Sequence, residues 1–183
     1  MNRRLLCSML LFLSMCTSYA QKGDNQVRIL AEVGFPMHDE FRMGGGAYVK
    51  FLYGVGRSSQ VSLTTGASKF RTTNTIIGWG GERTHIRTVP VLLGYKINIK
   101  NIYIEPAIGY GELGGRDNIG GDWARHSIGA SYLSLGAGYE LEPWTLGIRY
   151  QVARGTRSVL GRTWDRNGFE FVGLQVAYTL WHK

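Results

Sequence analysis

The 183-residue sequence predicts an all-β protein in which eight antiparallel strands run up and down and close into a barrel. Three observations lead to this fold class. Apolar residues recur at every second position in eight separate runs, which is the period of a β-strand. No run shows the i, i+3, i+4 spacing of an amphipathic helix, and the 26 glycines are spread at a density that weakens helices. The connections between runs also alternate between short and long, as in an up-and-down barrel.

The first element is an export signal at residues 1–20, which is cleaved so that residues 21–183 form the barrel domain. Two arginines precede an apolar core at Leu5–Met15, and Ser18–Ala20 supplies the small residues of a cleavage site. A lipoprotein signal that acylates Cys16 is the alternative, but the residue before this cysteine is not small. Both cysteines of the chain lie in the signal, which excludes disulfides and thiol chemistry in the exported protein.

Each of the eight runs sets apolar side chains at alternate positions against small or polar side chains between them. The first run, for example, alternates Val, Ile, Ala and Phe with Arg, Glu and Gly, and the last alternates Val, Leu and Tyr with Gly, Gln, Ala and Thr. In chain order, the apolar faces extend over residues 27–35, 47–53, 61–67, 89–97, 102–110, 133–141, 146–152 and 172–180.

The connections divide into two kinds. Tight turns are predicted at Gly54–Ser58, Asn98–Asn101 and Glu142–Trp144, whereas the segments between runs 3 and 4, 5 and 6, and 7 and 8 are long loops. Outer-membrane barrels have short periplasmic turns and longer extracellular loops. We therefore expect both ends of the exported chain on the periplasmic side.

Alternation alone fits a soluble lipocalin-type barrel, apolar inside, as well as a membrane barrel, apolar outside. The non-apolar face is rich in Gly, Ala, Ser and Thr with isolated charges, which suits a narrow interior better than a water-facing surface. Aromatic residues also lie near strand ends, as in the belts at membrane interfaces. They are Tyr53, Tyr95, Tyr110, Tyr139, Trp144, Tyr150, Tyr178 and Trp181. Together with the chain's C-terminal segment, these features predict a transmembrane barrel.

A membrane-spanning helix is excluded because no stretch after residue 20 approaches the roughly 18 apolar residues that it requires.

Two segments carry a resemblance to known proteins. Gly173–Trp181 resembles the β-signal by which outer-membrane barrels are recognised for assembly, except that His182 and Lys183 follow the last aromatic residue. Residues 87–111, RTVPVLLGYKINIKNIYIEPAIGYG, are similar to the Pro-containing hairpin of the PorT-like barrels. The general plan is like that of OmpX and OmpA barrels. The resemblance implies the architecture, and it implies that the barrel-assembly machinery recognises the C-terminal strand.

The interior is predicted to hold a polar network of both charge signs. Its charged members are Arg28, Glu32, Lys50, Lys96, Glu105, Glu140 and Arg149. Pairing across the tight turns places Lys96 diagonal to Glu105 and Glu140 near Arg149. Charges withdrawn from water need partners, and an eight-stranded barrel is just wide enough to be filled by its side chains. We therefore expect a polar plug, with a charge-lined channel or proton path as the alternative.

Enzymatic signals are weak. Some outer-membrane barrels act on acyl chains with His, Ser and a carboxylate, and the candidates for these roles are His126 and Ser127, with Asp122 or Glu112 nearby, and His85. Neighbouring residues of a strand face opposite ways, so His126 and Ser127 do not form a dyad if both are extended. Asp117, Asn118 and Asp122 lack the spacing of a calcium loop. The sequence predicts neither a cofactor nor a metal.

The predicted long loops and their rims are basic. They contain nine arginines, at positions 71, 83, 87, 116, 125, 154, 157, 162 and 166, against Glu82, Asp117, Asp122 and Asp165. Arginine binds phosphate and carboxylate with a planar fork. The candidates for binding outer-membrane lipid and lipopolysaccharide are Arg154, Arg157, Arg162 and Arg166; a merely solvated rim is the alternative. Nucleic acid is not an expected partner of an exported chain.

The sequence thus favours a monomeric, non-enzymatic protein of a Gram-negative outer membrane, with a structural, adhesive or accessory role. A lipid A-modifying acyl hydrolase or acyltransferase is the second hypothesis. A secreted, soluble, lipocalin-like carrier is the third.

Overall fold

The computed structural model describes residues 25–39, 41–72, 81–119, 122–155 and 168–182, with side chains described outside residues 72, 81–84 and 116–126. The predicted eight-stranded antiparallel barrel is confirmed: each strand pairs with its neighbours in sequence, and β1 pairs with β8 to close the cylinder. The export signal lies outside the described residues. The strands are β1 (Asn25–Pro36), β2 (Phe41–Gly54), β3 (Ser59–Thr72), β4 (Gly81–Ile99), β5 (Ile102–Ile119), β6 (Asp122–Leu141), β7 (Trp144–Gly155) and β8 (Phe169–His182).

The tight turns share one end of the barrel, which we call the short-turn end. Residues 55–58 connect β2 to β3, residues 100–101 connect β4 to β5, and residues 142–143 connect β6 to β7. Lys100 has a φ of 58°, and the Glu142–Pro143 peptide bond is cis. Gln26 pairs with His182, so β1 begins and β8 ends here. The opposite end, where the remaining connections lie, is called the long-connection end.

The prediction of a long loop between the fifth and sixth runs is wrong. β5 and β6 continue their pairing from the barrel wall out to Ile119↔Asp122, so only residues 120 and 121 separate them. Arg116 and Arg125, assigned to this loop, are cross-strand partners. Two paired strands satisfy their backbone N–H and C=O groups along their whole length, whatever their side chains are. Alternating apolar residues occur only in the part of a strand that has one apolar face. The alternation therefore did not reveal the outer part of β5 and β6. Residues 73–80 and 156–167, in the other two long segments, lie outside the described residues.

Alternate side chains along each strand face inward and outward. The outward positions are apolar yet exposed: Ile108 is 64% exposed, Leu133 59% and Leu93 56%. The inward positions are buried and carry both polar and aromatic side chains, so the core lies inside the barrel. No helix in the described part of the chain is both long and apolar enough to cross a membrane.

Glycines on the inner wall make room for large side chains in this narrow interior. The Phe70 ring lies against Gly34 and Gly44, and a Cβ built on Gly34 comes within 2.6 Å of Phe70 Cε1 and 3.2 Å of Phe171 Cδ2. Tyr48 lies against Gly66 in the same way, with its Cδ1 2.6 Å from the position of a Cβ there. The Phe70 and Tyr48 side chains therefore occupy space that side chains at these glycine positions would fill.

We expect Gly34→Ala to destabilise the barrel by about 1–3 kcal/mol, because the added methyl group must displace the Phe70 ring from a filled interior. Gly56→Ala is the matched control, since a Cβ there has its nearest neighbour at 4.0 Å. The free energy of unfolding in detergent micelles, from urea titration, measures both changes. Equal stability of the two variants would show that Phe70 can move without cost.

Candidate functional site

The structure places all seven charged residues of the predicted network on the inner wall. Six are buried, and Glu140, near the short-turn end, is half-buried. They come from six of the eight strands. Every second side chain of a strand points inward, and in each of these six strands one or two of the inward side chains are charged. The buried residues are Arg28, Glu32, Lys50, Lys96, Glu105 and Arg149. They form three carboxylate-centred groups.

The first group is centred on Glu140, close to the short-turn end. Arg28 Nη1 lies 2.7 Å from Glu140 Oε1, and Lys96 pairs with the same carboxylate oxygen. Arg28 also donates to Thr145 Oγ1 at 2.8 Å and, through Nε, to Gln26 Oε1 at 2.9 Å. One carboxylate thus serves two cations, and neutral side chains accept the remaining bonds of the guanidinium.

The second group is centred on Glu105. Lys50 Nζ donates to Glu105 Oε2 at 2.7 Å, and the Ser62 hydroxyl donates to Oε1 at 2.6 Å. Both carboxylate oxygens are therefore bonded. An ion pair withdrawn from water depends on such complete hydrogen bonding.

The third group is centred on Glu32, nearer the middle of the barrel. Arg149 Nη2 lies 2.8 Å from Glu32 Oε1, and Gln175 Nε2 donates to Oε2 at 2.8 Å. The Arg149 guanidinium also lies over the Tyr48 ring, 4.4 Å from its centroid. Cation–π contact of this kind supports a desolvated guanidinium.

The predicted placement of the charges can be compared with the ion pairs that form. The sequence places Lys96 diagonal to Glu105 and Glu140 near Arg149, across tight turns. The β4–β5 register does bring Lys96 beside Glu105, and both line the same small cavity. The ion pairs, however, join Lys96 to Glu140 and Arg149 to Glu32. Every ion pair of the network joins strands that are not hydrogen-bonded neighbours, so the side chains reach past at least one intervening strand.

The charged side chains of the network leave little space between them. A cavity of about 10 Å³ is lined by Arg28, Lys50, Lys96, Glu105 and their neighbours. This volume is about what one water molecule requires. The network therefore packs closely around this cavity.

An aromatic layer fills the other half of the interior. Phe70, Phe169 and Phe171 are fully buried, and Phe41 packs edge-on against Phe169 with centroids 5.3 Å apart. The Phe70 centroid lies 4.9 Å from that of Phe169 and 4.8 Å from that of Phe171. Sequence reasoning missed this layer. Ser68 and Gly173 were assigned to the inward face. Counting two residues on from Ser68 to Phe70, and two back from Gly173 to Phe171, would have found it.

The candidate catalytic residues do not form a described site. Ser127 is exposed on β6, Glu112 is exposed on β5, and His85 is half-buried on β4. The side chains of Asp122 and His126 lie outside the described ones. Within the described residues, no three His, Cys, Asp or Glu side chains come close enough to hold a metal ion.

The basic surface at the long-connection end is partly described. Arg154, one of the four predicted anion-binding arginines, is exposed on β7, whereas Arg157, Arg162 and Arg166 lie outside the described residues. Four further exposed cations lie on β2, β3 and β4. They are Arg42, Lys69, Arg71 and Arg87.

Comparison of the fold finds outer-membrane proteins. No protein-family model matches the chain, and no curated protein matches its sequence. The crystal structure of Ail, the attachment invasion locus protein of Yersinia pestis, aligns with a TM-score of 0.60 at 12% identity, covering 87% of this chain and 99% of Ail. Ail in complex with the heparin analogue sucrose octasulfate aligns with a TM-score of 0.61 at 11% identity, with the same coverage. The N-terminal β-barrel domain of Pseudomonas aeruginosa OprF aligns with a TM-score of 0.61 at 13% identity, covering 86% of this chain and 99% of the domain. At these identities, the likeness shows a shared fold.

We expect Glu105→Gln to cost about 3–5 kcal/mol of stability, because it leaves the Lys50 ammonium buried without its carboxylate. The double variant Lys50→Met with Glu105→Gln removes both charges and is expected to cost much less than Glu105→Gln alone. Urea unfolding of the parent, both single variants and the double variant gives the coupling energy. If the stability losses of the two single variants add up to that of the double variant, Lys50 and Glu105 do not stabilise each other.

Proposed function

We propose that this chain is a small, non-enzymatic barrel of the Gram-negative outer membrane, with a sealed interior and a structural, adhesive or accessory role. The proposal rests on one observation. The outward-facing apolar side chains of the eight strands are exposed and form a continuous band around the barrel wall, which we call the apolar belt. On β4 and β5, for example, Val91 is 50% exposed and Ile104 is 43% exposed. Soluble monomers rarely expose apolar patches larger than a few hundred Å², so a belt around the whole wall favours a lipid environment over the soluble carrier.

Aromatic residues at both edges of the belt support this placement. Tyr53, Trp144 and Trp181 are about half-exposed near the short-turn end, and the Trp144 and Tyr178 rings pack with centroids 4.9 Å apart. Tyr110 is 58% exposed towards the other edge. Tyr and Trp are enriched where the hydrocarbon core meets the headgroups.

The filled interior supports a plug rather than a channel. Ion pairs cross the lumen in the short-turn half, and four phenylalanines close the long-connection half. A conducting barrel needs a continuous polar path, and the aromatic layer interrupts it.

Non-enzymatic function agrees with the geometry of β6. The acyl hydrolase or acyltransferase hypothesis requires His126 and Ser127 to act together. Both belong to the extended strand β6, where consecutive positions face opposite sides.

The proposed partners follow from the surface. Outer-leaflet lipid and lipopolysaccharide would contact the belt and the basic long-connection end, and the assembly machinery would recognise the C-terminal strand. We propose a cleaved export signal at residues 1–20 and a monomer in the membrane. The relation to PorT-like barrels stays a resemblance of the β4–β5 hairpin.

We expect Leu135→Arg to prevent insertion into lipid vesicles or to slow it severely. A charged side chain on the lipid face costs about 2–4 kcal/mol at the bilayer midplane. Ser127→Arg is the matched control, because Ser127 is exposed on the same face of β6 beyond the end of the belt. Heat-modifiable migration after reconstitution measures the folded, inserted fraction. Equal insertion of the two variants would favour the soluble carrier.

Reconstituted protein is expected to show no large, steady single-channel conductance in planar bilayers. Phe70→Ala combined with Phe171→Ala should raise current fluctuations, since it removes two rings of the aromatic layer while leaving the ion pairs in place. Steady porin-like openings of the parent would refute the plug.

A further inference from the structure

Like charges face each other directly on the outer wall of β2, β3 and β4. Lys69 is the cross-strand partner of Arg87, and Arg42 is the partner of Arg71. All four side chains are exposed, and none of them forms an ion pair with any other described residue. Like charges at directly opposed positions destabilise a sheet. We call these four residues the β2–β4 basic patch.

The patch begins where the apolar belt ends. On β3 the outward position before Lys69 is Ala67, and on β4 the outward position next to Arg87 is Val89. Arg71 and Arg42 lie one step further towards the long-connection end. In a bilayer that covers the belt, the first row of the patch therefore lies at the depth of the lipid headgroups.

The described acidic side chains at this level lie outside β2 to β4. Glu112 is exposed on β5, opposite Val89, and so borders the patch. On β7 and β8, Arg154 accompanies Glu170, whose carboxylate accepts a 2.6 Å hydrogen bond from the Tyr150 hydroxyl. Of the described walls, that of β2 to β4 thus concentrates positive charge.

We propose that the β2–β4 basic patch binds phosphate groups of membrane lipids at the long-connection end. This inference rests on the proposed function, because it requires the belt to lie in a bilayer. Two rows of opposed cations match the negative charge of phosphate headgroups, and the guanidinium fork bonds two phosphate oxygens at once. Bound phosphate also removes the like-charge repulsion within each pair. A structural or accessory barrel would thereby be anchored to phosphate-rich lipid along one wall.

The test measures headgroup selectivity in reconstituted vesicles. Spin-labelled phosphatidic acid and spin-labelled phosphatidylcholine are compared by the fraction immobilised at the protein surface. The parent should prefer phosphatidic acid several-fold, and Lys69→Gln with Arg87→Gln should lower that preference about fivefold or more, because two exposed contacts to the phosphate are lost. High salt should weaken the preference of the parent.

The matched control is Arg57→Gln with Lys100→Asn, which removes the same charge from the short-turn end; asparagine tolerates the positive φ at position 100. The control should keep most of the preference. An equal loss in both variants would show that net charge alone selects the lipid, and would overturn the patch. Competition by inorganic phosphate as strong as that by the lipid would also overturn it.

A second variant separates folding from binding. Lys69→Glu converts the opposed cations into an ion pair with Arg87, so it should lower the preference at least as much as the double variant while leaving the barrel at least as stable as the parent in zwitterionic detergent. A parent that inserts but shows no preference would overturn the inference alone. A parent that does not insert would overturn the proposed function as well.

Discussion

The narrow interior of an eight-stranded barrel governs the rest of this structure. Inward side chains from opposite walls meet at the axis, so charged groups lose water and must find partners there. The ion pairs of Lys50 with Glu105 and of Arg149 with Glu32 consequently join strands that are not neighbours in the barrel wall. The same lack of space sets glycine beside several large inner residues, as Gly66 is beside Tyr48. The small volume of the interior thus accounts both for the pairing of the charged side chains and for the placement of the glycines.

This limit divides the molecule into an inside that stabilises and an outside that interacts. The ion pairs occupy one half of the described interior and the aromatic layer the other, with a cavity of about 10 Å³ among the charged side chains. The outer wall instead presents an apolar belt and, on β2 to β4, directly opposed cations at its edge. The role that we propose at the membrane accordingly depends on the outer wall and on the long-connection end.

Period-two patterning predicted the strands and the inward position of residues such as Arg28 and Lys96, because a strand's alternation is local. It did not predict which charges pair, since a partner across the lumen depends on strand tilt and register around the whole barrel. It also ended the apolar face of the third run at Ala67 and began that of the eighth at Val172, and so missed Phe70 and Phe171. The extension of β5 to Ile119 escaped detection because apolar alternation stops where the belt stops, although backbone pairing continues.

The central claim is that outward side chains face lipid while inward side chains are sealed from both lipid and water. Paramagnetic broadening of NMR signals from the unmodified barrel in lipid nanodiscs tests it most directly, with dissolved oxygen as the lipid-phase probe and a nickel chelate as the aqueous probe. Along β4, oxygen should broaden the signals of Val91, Leu93 and Ile97, and neither probe should broaden those of Leu92 and Lys96. Broadening of Lys96 by nickel would reveal a water-filled channel, and broadening of Leu93 by nickel would show that the wall faces water.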